Sequence, residues 1–285
     1  MIKLALMGAG GKMGCRIADN LKNLAKYQVY YVEVSEQGVA NLRQRGLEVT
    51  PQAEALDKAE VVVLAVPDRL IGRITHDIVP KLQPRSMIIG LDPAAAYAGV
   101  MPIRDDLTYF VTHPCHPVLF NNKADPEQHI DWFGGVYTSQ PIVCALHHGP
   151  EEDYARGEAL AIDLYGNASA PVTKAHRMTV EQMAILEPAL AETFAATCIT
   201  AIKEAFEEAV RMGVPREAAF DFLMGHLRIE LAIVFGFAGF SFSDGAKLAI
   251  KQARDRIFVP TWKESVMDLD SLRQSVAEIT GSLAR

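Results

Sequence analysis

The chain opens on the stretch KLALMGAGGKMG, residues 3–14, in which a short apolar run gives way to closely spaced glycines. Residues 15–25 then continue with the spacing of a helix. A strand, a tight turn and a helix N-terminus in this order are typical of a dinucleotide-binding fold. Glycines let the backbone approach a pyrophosphate, and the helix start offers unpaired N–H groups and partial positive charge.

The turn departs from the strict G-x-G-x-x-G pattern, because its spacing is Gly8-x-Gly10-x-x-x-Gly14 and Met13 stands at the usual third glycine. Its place after a strand and before a helix still predicts cofactor binding. The residues assigned to the cofactor here are Gly8, Gly10, Gly11, Lys12, Met13 and Gly14, joined by Val66, Pro67 and Asp68 at the end of a later strand.

A second strand-like run, 29–33, ends in Glu33. An acidic side chain at this place accepts hydrogen bonds from ribose hydroxyls and repels a 2′-phosphate. No arginine follows in residues 34–38, so the sequence favours NAD over NADP. The alternative is a solvated carboxylate at a strand end.

Composition excludes several classes of partner. The 285 residues carry a net charge of −7 without a basic tract, which argues against nucleic acid. Four scattered cysteines without a CxxC pair fit a reducing compartment. The opening strand leaves no room for a signal peptide, and the apolar stretch 231–242 is too short for a bilayer. We therefore expect a cytoplasmic protein with no membrane partner.

Strand and helix signals alternate up to about residue 170, which predicts an α/β fold with a doubly wound parallel sheet. The strand candidates are 60–66, 86–91, 108–112, 142–146 and 168–172, with a helix over 151–165. Later segments read as helices, over 177–211, 216–237 and 244–258. The prediction is an NAD-binding domain over 1–172 and an all-helical substrate and dimerisation domain over 173–285. The long helix has apolar residues on several faces, which favours a homodimer over a monomer that covers them itself.

The most unusual local sequence follows the strand candidate 108–112, where His113 and His116 stand in a segment with Pro114 and Pro117. The prolines reduce backbone flexibility. A rigid pair of imidazoles at a strand end suits a general base or a metal ligand. The alternative is that both histidines only bond to backbone.

Two further sites lie on predicted helices. Glu187 stands in an apolar stretch beside Pro188, where a buried carboxylate needs a cation and the proline predicts a kink. The alternative is a glutamate that reaches solvent beside an incidental proline. His226 and Glu230 are four residues apart on one helix face and form either a metal site or a structural pair.

The segment 119–133 is interpreted as a lid or polyol-binding loop, or as ordinary surface. Its polar residues include Asn121, Asn122, Lys123, His129 and Asp131.

The glycine turn, the segment His113-Pro114-Cys115-His116-Pro117 and the helical stretch 180–188 together resemble the D-apionate oxidoisomerases. More broadly they resemble Rossmann dehydrogenases with an all-helical C-terminal domain, such as ketol-acid reductoisomerase, 6-phosphogluconate dehydrogenase and prephenate dehydrogenase. The resemblance implies NAD-dependent oxidation of a branched sugar acid with rearrangement of its carbon skeleton. It also implies a divalent metal, zinc or magnesium, with His116 and Glu187 as ligands and His113 as alternative ligand or base.

Two other functions stay open at this point. The first is a simple NAD-dependent hydroxy-acid dehydrogenase with a histidine base and no metal. The second is a non-catalytic protein that senses NAD. All three functions have a small-molecule partner. For the metal-assisted enzyme, the catalytic candidates are His113, His116 and Glu187, and the metal candidates are His116, Glu187, His226 and Glu230.

Overall fold

The computed structural model describes residues 1–120 and 130–282. The chain divides into two compact units, a sheet unit of Met1–Leu186 with the end of the chain from Arg273, and a helical unit of Glu187–Leu272. The loop residues Asn121, Asn122, Lys123 and His129 lie outside the described residues.

The sheet unit contains one seven-stranded sheet in the described chain. Its strands are β1 (Ile2–Met7), β2 (Tyr27–Val32), β3 (Val61–Leu64), β4 (Met87–Gly90), β5 (Thr108–Pro114), β6 (Gln140–His148) and β7 (Val172–Arg177). Their spatial order is β2-β1-β3-β4-β5-β6-β7. The first five strands are parallel, whereas β6 runs antiparallel to β5 and β7 runs parallel to β6.

The predicted α/β fold class is therefore confirmed, with two differences of detail. The sheet is mixed rather than wholly parallel, since its last two strands run the other way. The last strand begins at Val172, where the sequence prediction had it end, and strand β5 continues through His113 to Pro114.

Helices cover both faces of the sheet. They are α1 (Lys12–Leu21), α2 (Glu36–Gln44), α3 (Gln52–Lys58), α4 (Asp68–Ile78), α5 (Ala94–Tyr97) and α6 (Asp153–Tyr165). Successive strand residues point to opposite faces. Leu4 and Leu6 belong to the core with α1 and α6, and Ala5 and Met7 to the core with α3 and α4. Burial on both faces explains why β3 is continuously apolar.

The division between the units lies later than the predicted boundary after residue 172. A short helix α7 (Val180–Ala184) still belongs to the sheet unit, because Val180 and Met183 are buried in the core against the sheet. Strand pairing of β7 with β6 keeps the preceding residues there as well.

The long helix predicted over 177–211 has three parts. After α7 comes a π-helical segment, Ile185–Ala195, and then α8 (Ala196–Arg211). The π-helical segment contains Pro188, which lacks the N–H that a regular helix requires, and the Thr193 hydroxyl donates to the Pro188 carbonyl at 2.6 Å. The irregularity expected at this proline is thus a stretch of wider helix.

The helical unit continues with α9 (Arg216–Val234), α10 (Asp244–Ile257), α11 (Trp262–Val266) and the start of α12 (Leu269–Thr280). These helices bury little of their apolar surface: α8 and α10 contain no buried residue and α9 contains only Ala219. In the described chain one segment, Val180–Arg211, is long and apolar enough to cross a membrane by those two measures alone, which is weak evidence. The homodimer stays a prediction.

Candidate functional site

The glycine turn connects β1 to α1 with very close contacts between backbone segments. Gly8 has a φ of +73°, and a Cβ there would lie 2.3 Å from the Ala65 carbonyl oxygen. A Cβ on Gly10 would lie 2.2 Å from the Gly38 carbonyl oxygen, and one on Gly14 would lie 2.1 Å from that of Gly8. Gly14 thus provides the close approach of helix and strand that the third glycine gives in the strict pattern, which explains why Met13 is tolerated.

The N-terminus of α1 is open to an anion. Gly11 is the N-cap residue and no side chain caps the helix, whose first turn contains no acidic residue. The first N–H groups of a helix lack partners within it and carry partial positive charge. This arrangement fits a pyrophosphate, as the sequence predicts for Gly8–Gly14.

Glu33 lies at the end of β2 and holds the glycine turn in place. Its Oε2 accepts from the Gly10 N–H at 3.0 Å, and its Oε1 accepts from the N–H groups of Val34 and Ser35 at 2.8 and 2.9 Å. Burial raises the pKa of the Glu33 carboxyl, but these hydrogen bonds outweigh it and the pKa is lowered. The carboxylate is therefore ionised and has acceptor capacity left on Oε2 for a ribose hydroxyl.

The third part of the predicted cofactor site follows β3. Val66 and Pro67 lead into α4, which begins at Asp68 with Pro67 as N-cap. The Ala65 carbonyl contacts the glycine turn, so this segment lies beside Gly8. The carboxyl ends of β1, β2 and β3 therefore meet at one edge of the sheet, where α/β folds bind their ligands.

His113 lies at the carboxyl end of β5, next to the end of β4. Its Nδ1 is 2.8 Å from the Leu91 carbonyl oxygen. A carbonyl can only accept, so Nδ1 carries the hydrogen and Nε2 of the neutral ring carries the lone pair. One Asp92 carboxylate oxygen lies 3.8 Å from Nδ1, and the other accepts from the Ala94 N–H at 2.8 Å.

His116 is held in a second, strained position. Its φ is +61°, which is rare for a residue with a side chain. Its Nδ1 lies 3.3 Å from the Phe133 carbonyl oxygen, so this ring has the same tautomer as His113. The two ring centroids are 6.1 Å apart. Each Nδ1 thus faces a backbone carbonyl, and in this tautomer Nε2 is the nitrogen that can act as a base or a metal ligand.

The other candidates belong to the helical unit. Glu187 is half-buried in the π-helical segment, one residue before Pro188. His226 is exposed, stacks on Phe222 and has its Nδ1 2.8 Å from the Phe222 carbonyl oxygen, and Glu230 is exposed on the same helix. In the described part of the chain, neither His226 nor Glu230 belongs to a group of three close metal-ligating side chains. The metal roles of these three residues stay predictions.

The sequence prediction gave no catalytic, cofactor or metal role to Asp92, Arg16, Asp131 or Phe133, although it placed Asp131 in the candidate loop 119–133. The topology brings Asp92 to the site, because Asp92 follows β4 and His113 lies near the end of the neighbouring parallel strand β5. No local signal connects Arg16 with this loop, since Arg16 and Asp131, which pair at 2.6 Å, are far apart in the sequence.

Comparisons with known proteins cover nearly the whole chain. Residues 121–280 match the family model described as phosphogluconate dehydrogenase (decarboxylating) C-term, and residues 3–92 match that of NADP oxidoreductase coenzyme F420-dependent. D-apionate oxidoisomerases of Cupriavidus necator and Rhizobium rhizogenes are 47% and 46% identical over 98% of this chain and 99% and 100% of theirs. The chain belongs to the D-apionate oxidoisomerase family. The resemblance stated from the sequence is thereby confirmed, and membership of this family makes the chain an enzyme.

A solved structure supports the fold of this family member. It is the crystal structure of a semialdehyde dehydrogenase NAD-binding protein from Cupriavidus necator in complex with calcium and NAD. The similarity has a TM-score of 0.93 at 47% identity and covers 98% of this chain and 100% of that one.

Proposed function

We propose that this enzyme binds NAD at Gly8–Gly14 and Glu33 and oxidises D-apionate to 3-oxo-isoapionate. The names of its relatives and the NAD complex of one of them support this proposal. The observation that carries it is the pair of imidazoles at the carboxyl edge of the sheet, both held by backbone carbonyls with Nε2 as the basic nitrogen. Such a site can remove a hydroxyl proton beside a bound dinucleotide.

The glycine turn and Glu33 fit NAD. Gly10 and Gly14 keep side chains away from the turn, and the uncapped start of α1 presents N–H groups to the phosphates. The ionised Glu33 would bond to ribose hydroxyls and repel the additional phosphate of NADP. When bound, NAD supplies the hydride acceptor.

A divalent cation fits the donors around His113. The Asp92 carboxylate and the His113 imidazole offer one oxygen and one nitrogen donor on neighbouring strand ends, with ligand atoms within 4.8 Å of one another, a set that suits zinc and other borderline ions. When bound, the ion supplies Lewis acidity at the oxygens of the hydroxy acid. With His113 and Asp92 in this role, His116 is the general base, and Glu187 stays a proposed further ligand.

The reaction balances in two stages. Oxidation breaks one O–H and one C–H bond, with the proton going to the His116 Nε2 and the hydride to the nicotinamide. Rearrangement then breaks one carbon–carbon bond and forms another to the new carbonyl carbon. This rearrangement is redox-neutral, because one carbonyl is lost and one is formed. The neighbouring alcohol loses a proton and becomes the ketone. The first carbonyl becomes an alkoxide, which takes up a proton. His116 can return the proton that it accepted.

Turnover with D-apionate tests this proposal. We expect NADH to form and the product to have a rearranged carbon skeleton by NMR. An oxidised product with the original skeleton would instead support the simple hydroxy-acid dehydrogenase. The absence of NADH formation, in protein that binds NAD, would contradict both functions.

Metal analysis separates the metal-assisted reaction from metal-free oxidation. We expect Asp92→Asn and His113→Gln to lower the metal content of the purified protein while NAD affinity, measured by calorimetry, is retained. His76→Gln, the same change at an exposed histidine of the sheet unit, is the matched control and should retain the metal. His226→Gln tests the alternative metal site predicted on the helical unit. Full turnover in excess chelator, or metal lost only from the His226 variant, would contradict the assignment.

A further inference from the structure

Asp131 is a buried carboxylate that organises the segment after it. Only 6% of the residue is exposed. Its Oδ2 accepts from three successive backbone N–H groups, those of Val136, Tyr137 and Thr138, at 3.1, 2.9 and 3.0 Å. Its Oδ1 accepts from the Arg16 guanidinium at 2.6 Å. Burial raises the pKa of Asp131, but Arg16 and the backbone donors outweigh it and the pKa is lowered.

Arg16 connects this segment to the cofactor side of the fold. It lies on α1, the helix that begins at the glycine turn, and it also donates to the Gly134 carbonyl. The guanidinium therefore bonds on both sides of Phe133, to residues 131 and 134. A charge-assisted pair of this kind, with one partner buried, holds a backbone segment more firmly than neutral bonds do.

Phe133 is the residue that this arrangement presents to His116. Its carbonyl oxygen is the acceptor of His116 Nδ1, and its ring meets the His116 ring edge-on with centroids 5.5 Å apart. The ring is restrained from the side of α1, since Lys12 Nζ lies 3.8 Å from its centroid. The bond that selects the tautomer of His116 thus depends on a segment held by Asp131 and Arg16.

His116 needs such external restraint. A residue with a side chain at φ +61° is strained and keeps this conformation only where its surroundings impose it. Its flanking prolines limit the alternatives without selecting the orientation of the ring. The hydrogen bond from Nδ1 to the Phe133 carbonyl and the edge-on contact with the Phe133 ring both orient the imidazole.

We propose that Asp131 and Arg16 are positioning residues for His116. They fix the Phe133 carbonyl so that His116 has its hydrogen on Nδ1 and its lone pair on Nε2, toward the reacting hydroxyl. The inference rests on the proposed function for the use of His116 as base. The geometric part, the tautomer, does not depend on any substrate or on turnover.

The first test reads the tautomer in the protein without substrate. Protein labelled with ¹⁵N-histidine is measured by NMR at a fixed alkaline pH, and the His116 signals are assigned with His116→Gln. We expect the wild type to show a hydrogen on Nδ1, and Asp131→Asn to show a mixture of tautomers, because the amide NH₂ faces backbone donors. Asp57→Asn, the same change at an exposed carboxylate, should leave the signals unchanged.

The second test separates positioning from a purely structural role. In Asp131→Asn we expect kcat to fall by at least about tenfold while the dissociation constant for NAD changes by less than about threefold, because a misplaced base affects the reaction and not cofactor binding. Arg16→Met should give the same loss, and Arg16→Lys, which keeps the charge, should recover part of it.

These results decide the inference separately from the proposed function. A wild-type tautomer in Asp131→Asn, or a kcat within twofold of wild type, would overturn it. If Asp131→Asn does not fold, the two Arg16 variants decide the question instead, since equal kcat values in Arg16→Met and the wild type would overturn it too. If the wild type shows the expected tautomer, Asp131→Asn shows the mixture and the wild type does not turn over D-apionate, the proposed function is contradicted and the positioning stands.

Discussion

Replacing Gly14 with alanine tests how closely helix α1 must approach the strand before it. Gly14 lies inside a helix, where an alanine ordinarily stabilises by about 0.5–1 kcal/mol. Here the new Cβ would lie 2.1 Å from the Gly8 carbonyl oxygen and 2.7 Å from the Ala9 carbonyl carbon. Both are backbone atoms, and the Gly8 oxygen is tied by the Gly11 N–H at 3.1 Å. The helix must therefore move by roughly 1 Å, and we expect a net loss of about 1–3 kcal/mol in the free energy of unfolding.

The same displacement reaches the cofactor, because the N–H groups of the first turn move with the helix. We expect the dissociation constant for NAD to rise by about tenfold or more, each factor of ten corresponding to about 1.4 kcal/mol. Gly11→Ala is the matched control for stability, since its Cβ would lie 3.3 Å from the same oxygen. Urea denaturation should show a smaller loss than in Gly14→Ala, because at 3.3 Å the neighbouring oxygen has to move by only a few tenths of an ångström.

The assay compares the wild type, Gly14→Ala and Gly11→Ala. Calorimetric titration gives the dissociation constant for NAD, and urea denaturation gives the free energy of unfolding. If Gly14→Ala unfolds at the wild-type urea concentration and binds NAD as tightly, the close approach is not required and the reasoning fails. Equal losses of stability in both variants would refute it as well, because the two Cβ positions differ by more than 1 Å in their distance to the Gly8 oxygen.

Further predictions concern charge, metal and assembly. Glu33→Ala should weaken NAD binding more than NADP binding in calorimetry, because ribose bonds and phosphate repulsion are lost together; equal losses would count against it. Glu187→Gln should lower metal content and turnover together with NAD affinity retained, and unchanged metal would contradict its role as ligand. Light scattering should give twice the chain mass of 31.2 kDa, since α8 buries no residue of its own; a monomer mass would exclude the dimer. The lowered pKa of Asp131 stabilises the fold above about pH 4, so stability in urea should fall as the pH drops through the folded pKa, and less so in Asp131→Asn.

The parts of the fold that the sequence predicts well are those set by local rules. The glycine turn, the buried strand β3 and the alternation of strands and helices follow from backbone freedom and burial on both faces. The reversal of β6 does not, because a strand has the same pattern in either direction. The boundary between the units was also out of reach, since it depends on the contact of Val180 and Met183 with the core.

The candidate site shows the same limit at the level of single atoms. Local sequence indicates two imidazoles at the end of a strand, and nothing in it selects which nitrogen of each ring is basic. That choice is made by the Leu91 carbonyl for His113 and by the Phe133 carbonyl for His116. Leu91 directly follows the neighbouring strand β4, so its place could be argued from the topology of the sheet. Phe133 is held through Arg16, a residue of the first helix, so the chemistry of His116 depends on a contact that only the folded chain creates.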